Sequence, residues 1–207
     1  MKSTCPTGRS GGACAAAALS RVEPARHDVG APAYGDSMHS TIALRPWTNA
    51  DLGIIKASNA PEMTVYLGGP ETAEKVVRRH KVFLDGWAND DTWVFAILAD
   101  GEPIGSVGYW PSIHGETPIF EAGWSVHLPF QGLGYGAAAL ALCLEHARTH
   151  ASPERHLLYA FPRIDNAPSN RICAKAGMTN TGPEPFEYPK GVPITCNAWV
   201  FDLLPVG

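Results

Sequence analysis

The sequence predicts an α+β (mixed α/β) fold: a mixed, mostly antiparallel central sheet flanked by helices. Three observations predict it. Strand-like runs at 93–99 and 104–110 are separated by Asp100-Gly101-Glu102-Pro103, a hairpin signal because glycine tolerates positive φ, so the first half is antiparallel. A third run, 119–128, passes through a glycine-rich turn into an Ala/Leu-rich helix and on to a strand at 157–162, a β-α-β unit that needs a parallel step. The whole order is strand, two helices, three strands, helix, strand, helix, strand.

The elements read off in turn. Residues 1–40 are rich in Ala, Gly, Ser and Pro and show no period of 2 or 3.6, so they are expected to be a disordered extension, with one domain over 41–207. Thr41 to Trp47 forms a short strand closed by Pro46. Thr48 or Asn49 caps a helix through Ala50 to Ser58, and Pro70-Glu71-Thr72 opens a longer one with Val76, Phe83, Leu84 and Trp87 on its apolar stripe. His80 shares that stripe and reads as a packed, hydrogen-bonded core histidine. Leu140, Leu144 and Ala147 mark one face of the helix lasting to about His150, a helix at 167–176 is stopped by Gly177, and a last strand spans 198–203.

Composition narrows the function classes. With 16 basic and 20 acidic residues the formal net charge is −4, which argues against a nucleic-acid partner and mildly favours cationic ligands. No stretch approaches the roughly 18 apolar residues of a membrane span. Five cysteines in no C-x-x-C pair point to reduced thiols and a cytoplasmic setting. There is no H-E-x-x-H, no Walker sequence and no G-x-S-x-G elbow. The nearest metal-like grouping, His114-Gly-Glu116, falls in an expected loop and makes no site, so no metal is expected.

Gln131-Gly132-Leu133-Gly134-Tyr135-Gly136 stands between a strand and a helix. Glycines there let backbone approach a ligand, and the unpaired amides of the first helical turn favour an anion such as phosphate. The geometry of a tight turn alone would also ask for glycine. Gly132-Leu-Gly134-Tyr-Gly-Ala137 also fits the dinucleotide fingerprint, with Asp165 further on, which would make the chain an NAD-binding oxidoreductase. Its position, after a meander and with few residues left for parallel strands, tells against that. His127, beside the turn, reads as structural or as a phosphate neighbour.

The same turn resembles the Q/R-x-x-G-x-G/A signature of the GNAT superfamily of acyl-CoA-dependent N-acetyltransferases, through Gln131, Gly134 and Gly136. Glu121-Ala-Gly123-Trp124 resembles the E-x-G-[YW] of the branch containing ribosomal-protein N-terminal acetyltransferases. Asn166-Ala-Pro-Ser169 through Lys175-Ala-Gly177-Met178 is similar to that branch's N-x-x-S-x-x-x-x-x-K-x-G-F block, with Met178 for Phe. The likeness runs from about Thr41 to Leu204.

The resemblance implies a sheet splayed between strands four and five with acetyl-CoA wedged there as co-substrate. It implies that the diphosphate lies on the amides of Gln131, Gly132, Leu133, Gly134, Tyr135, Gly136 and Ala137, and that the pantetheine arm pairs with the backbone at Trp124 and Val126. An N–H near Val126 would meet the thioester oxygen. Asn166 and Ser169 would contact the pantetheine, although Asn166 equally suits a helix N-cap and Ser169 local backbone bonding.

In this reading Glu121 is the base that frees the amine, by direct attack in a ternary complex. Cys173 stands where relatives place a tyrosine general acid, and a buried apolar role is its alternative. The acceptor is a small-molecule or peptide amine, framed by Trp110, Trp124, Phe161, Tyr188 and a loop at 182–195. A homodimer is compatible with the sequence. A module that binds acyl-CoA without turning it over is the alternative from another class.

Overall fold

The computed structural model describes residues 40–204. All but the last residue of the expected disordered extension, residues 1–39, lie outside that range. Seven strands form one sheet in the order β1-β2-β3-β4-β5-β7-β6. They are β1 (Ile42–Pro46), β2 (Trp93–Ala99), β3 (Glu102–His114), β4 (Thr117–Val126), β5 (Leu157–Ala160), β6 (Thr179–Glu187) and β7 (Pro193–Asp202). The helices are α1 (Leu52–Ser58), α2 (Ala73–Asn89), α3 (Tyr135–Arg148) and α4 (Ala167–Lys175). β4 and β5 are the one parallel pair, and the other neighbours are antiparallel. The expected fold class stands, and a doubly wound parallel sheet is absent from the described residues.

Alternation along the strands assigns the two faces. On one, Phe95, Ile97, Phe120, Ala122 and Val126 meet Ala139, Leu140, Cys143 and Leu144 of α3 and Cys173 of α4. On the other, Val94 and Ala96 meet Ile54 and Ile55 of α1 and Val76 of α2. Burial of such side chains is worth about 1.5–3 kcal/mol each and fixes the register, since a slip by one residue would turn each set to the wrong face. His80 is in this second layer, where Trp47 Nε1 donates to its Nδ1 at 3.0 Å, the expected core role.

Two differences from the sequence reading concern strands. The stretch expected as a loop at 182–195 is mostly a hairpin of β6 and β7, so β7 starts at Pro193 and an extra strand precedes it. β3 runs on to His114, so the expected loop shrinks to a turn at Gly115 and Glu116. No helix of the described residues is long and apolar enough to cross a membrane.

Candidate active site

Pairing between β4 and β5 stops early. Phe120 faces Leu158 and Glu121 faces Tyr159, and no pair follows. The β4 backbone from Trp124 to Val126 therefore borders a gap. Its orientation follows from the β3 register: Val126 lies opposite Gly105 and the next amide, His127 N, donates to Ile104 O at 2.8 Å. Val126 is thus a non-hydrogen-bonded position, and by alternation so is Trp124; both turn N–H and C=O away from β3 and into the gap.

The gap leads into the glycine turn. Gly132 and Gly134 have φ of 78° and 88°, and a Cβ at either would meet nothing within 4 Å, so both are demanded by backbone conformation at an open surface. Gly136 differs. A Cβ there would come within 2.6 Å of Ile172 Cδ1, so this glycine lets α3 lie close against α4. The Gln131 amide is bonded to Leu128 O and that of Ala137 to Gly134 O. Between them the amides of Gly132, Gly134, Tyr135 and Gly136 have no acceptor among the described residues. With the helix dipole behind them they form a concave donor array suited to a diphosphate. The Gln131 side chain reaches back to the edge of the gap, where Nε2 donates to Val126 O at 2.8 Å and meets Met63 Sδ at 3.4 Å, so the Val126 carbonyl is already taken.

Glu121 projects to the α1–α2 side of the sheet, opposite Trp110 in register. Gly123 leaves room for the Trp110 ring, whose Cη2 would sit 3.1 Å from a Cβ there. Burial raises the Glu121 carboxyl above its usual range, and the Ser112 hydroxyl, donating to Oε2 at 3.1 Å, draws it partly back. Ser112 is a residue the sequence reading missed. It lies one strand away, and no local motif reports the contact.

Other predicted residues sort clearly. Asn166 is the N-cap of α4, its Oδ1 accepting from Ser169 N at 3.2 Å, while its Nδ2 has no partner among the described residues. Asn170, unnoticed in the sequence, is the hub below it, with Oδ1 accepting from Asn197 Nδ2 and Trp199 Nε1 and Nδ2 donating to the carbonyls of Arg163 and Asn166. Cys173 is fully buried in the core, where burial pushes its thiol up to about 12. Its neighbours there are core side chains, the surroundings of a buried apolar residue. Trp124 also departs from expectation, since its side chain packs on the α3 core while Trp110 and Phe161 share the Glu121 face. His127 Nε2 lies 3.2 Å from Ile54 O and serves structure. Asp165, the acid of the dinucleotide reading, is paired with Arg163.

The segment between α1 and α2 spans the mouth of this face. Met63 touches Gln131, the Tyr66 hydroxyl donates to Asp165 O at 3.4 Å, and Gly68 lies so close to Pro189 that a Cβ would come within 2.8 Å of its ring. A cavity of about 310 Å³ beside that contact is lined by residues including Leu67, Glu71, Lys75, Tyr188 and Lys190.

Comparisons with known proteins bear on the family and the fold. The family model described as acetyltransferase (GNAT) domain matches residues 41–179. Among solved structures, the chain is similar to Mycobacterium smegmatis RimJ in complex with a CoA disulfide, at 21% identity over 78% of this chain and 82% of that one, with a TM-score of 0.61. It is similar to the Salmonella typhimurium acetyltransferase that modifies the N-terminal serine of ribosomal protein L7/L12, at 16% identity over 78% and 94%, TM-score 0.65. A third likeness is to yncA of Salmonella typhimurium with acetyl-CoA, at 22% identity over 80% and 96%, TM-score 0.64. A family match over most of the described residues, on a sheet whose parallel pair opens beside a glycine turn, makes this chain a member of the GNAT acetyltransferase family.

Proposed function

We propose that the chain transfers an acetyl group from acetyl-CoA to a primary amine by direct attack in a ternary complex. One observation carries the proposal: the β4 edge left unpaired beyond Glu121 and the unpaired amides of the glycine turn lie on either side of one short 3-10 turn, Leu128–Phe130, and are tied together by Gln131. A chain with a diphosphate at one end and an amide-bearing arm at the other fits both parts. The bound acetyl-CoA supplies an activated acyl carbon, and the protein's own groups do the rest.

The amides of Gly132, Gly134, Tyr135 and Gly136 hold the diphosphate. The edge at Trp124 and the Val126 N–H pairs with the arm, and the Nδ2 of Asn166 is assigned as a further donor to it. At about 3.3 Å per residue Val126 is roughly 17 Å along the strand from Glu121, and Trp124 about 10 Å. A base must work near the reacting carbon, so the Trp124 N–H is assigned to the thioester oxygen, where it stabilises developing negative charge. Glu121, directly or through one water, accepts the amine proton as nitrogen bonds to carbon and the C–S bond breaks. The CoA thiolate leaves to take its proton from water, so Cys173 is not needed.

The acceptor that fits best is a polypeptide N-terminus. Exposed Val65, Leu67, Ile164, Tyr188 and Val192 ring the entrance on three loops, two of which meet at Gly68 and Pro189, and the third of which receives the Tyr66 hydroxyl. An apolar collar suits a chain that arrives with its neighbours. Buried free thiols at Cys143, Cys173 and Cys196 support a reducing, cytoplasmic setting.

The test is thiol release from acetyl-CoA with a panel of peptides and small amines. Transfer to peptides, slowed by about 10²–10⁴-fold in Glu121→Gln with CoA binding intact, is the expected result. CoA binding without transfer to any amine would make the chain a binding module, and label retained on the protein after acetyl-CoA alone would replace direct attack by a covalent route.

A further inference from the structure

The Glu121 face carries a second carboxylate. Trp110, Ser112 and His114 of β3 share this face with Glu121 through the register with β4, and the pair Glu121–Tyr159 extends it to β5. From there a run of rings continues. Tyr159 stacks on Phe161 with centroids 5.7 Å apart, and Phe161 on Phe186 of β6 at 5.1 Å. The His114 ring lies 4.7 Å from Tyr159, and its Nε2 is 3.0 and 3.1 Å from the two oxygens of Glu184. The result is a wall with a carboxylate at each end and aromatic faces between.

Glu184 is half-buried, with 27% of its side chain exposed, and no lysine or arginine among the described residues pairs with it. Arg163, which follows Phe161 along the chain, is held by Asp165 through bonds of 3.0 and 2.8 Å. Aromatic faces and an acid without an ammonium or guanidinium partner both attract cations.

Resting on the acceptor reading above, we propose that Glu184 is a specificity-determining residue that receives a second positive charge on the acceptor, carried by the side chain next to the reacting amine. The carboxylate at Glu121 handles the proton to be lost. The one at Glu184 reads a charge that stays. His114 holds Glu184 in place at the tip of the β3–β4 hairpin when no acceptor is bound.

Peptides identical except for Lys, Gln or Glu as second residue test this through kcat/KM from thiol release. The wild-type protein is expected to prefer Lys over Glu by about fivefold or more, the scale of one partly exposed ion pair. Glu184→Gln keeps a hydrogen-bond acceptor for His114 and should bring the ratio towards one with KM for acetyl-CoA unchanged, while Glu184→Lys should invert it. His114→Asn, which removes the strut and keeps the charge, should retain the preference. Equal use of the three peptides by the wild-type protein, or a ratio unmoved in Glu184→Gln, overturns the proposal while leaving acetyl transfer standing. Absence of transfer to every peptide overturns both.

Discussion

The side-chain amide of Gln131 donates to the main-chain carbonyl of Val126 at 2.8 Å, joining the glycine turn to the end of the strand that borders the gap. It fixes the angle between the two surfaces proposed to hold one ligand. Gln131→Leu is expected to raise KM for acetyl-CoA about tenfold, the scale of one lost bond to a buried carbonyl plus loosened geometry, with a smaller change in kcat. Steady-state kinetics with acetyl-CoA varied at saturating amine would decide it.

The glycines of the turn should fail for different reasons. Gly134→Ala places a side chain at φ 88° in open space, costs about 1 kcal/mol of backbone strain and weakens CoA binding. Gly136→Ala should instead cost about 1–3 kcal/mol of folding stability, because the new methyl meets Ile172. Adding Ile172→Val should recover part of the second loss and none of the first. Thermal unfolding with and without CoA separates the two.

Glu121→Gln is expected to lower kcat by about 10²–10⁴-fold, the usual worth of a positioned base. Its melting temperature at pH 7.5 should not fall. The folded-state carboxyl is raised by burial, so folding disfavours its charged form above that raised value, and a neutral amide escapes the penalty.

Removing Ser112 should move the pH profile. The hydroxyl bonds to the carboxylate and lowers its proton affinity, so Ser112→Ala should raise the Glu121 value further. The acidic limb of kcat/KM is then expected at higher pH, with Ser112→Thr restoring it. An unshifted limb in Ser112→Ala would remove Glu121 from the role of base.

Far from the site, acid should unfold the protein through the Tyr109 cluster. The Tyr109 hydroxyl is 2.8 Å from His146 Nδ1 and 2.7 Å from His150 Nδ1, and burial lowers His146 to about 4 and lowers His150 as well. A depressed histidine means that the unfolded chain binds more protons between the ordinary value of 6.5 and about 4. Stability present above 6.5 is therefore lost as the pH falls through that window. Denaturant titrations from pH 7 to 4 should show this slope, and His146→Gln should flatten it.

What the sequence disclosed was what neighbouring residues decide. The Asp100-Gly101 hairpin, the glycine turn and the Asn166 cap are each set within a few positions and stand where expected. β6 escaped notice because Gly182, Pro183 and Pro185 mark a loop by every local rule. The strand survives as the last of the sheet, paired only with β7, where a proline's missing N–H does least harm. Pro111 inside β3 is tolerated similarly. It faces Phe120 at a non-hydrogen-bonded position, so its nitrogen points towards β2, whose pairing has already ended at Trp93–Tyr109. Ser112, Asn170 and Glu184 were invisible for another reason: each matters through a partner 9 to 70 positions away, which only the assembled sheet brings near.

Where Gly68 rests against Pro189, two loops from opposite halves of the chain share a seam with no side chain on one lip. On the acceptor proposal above, the amine would enter and its acetylated product leave beside that seam. Throughput can therefore be throttled by bulk at position 68 while the bond-making step, carried out on β4, keeps its own rate.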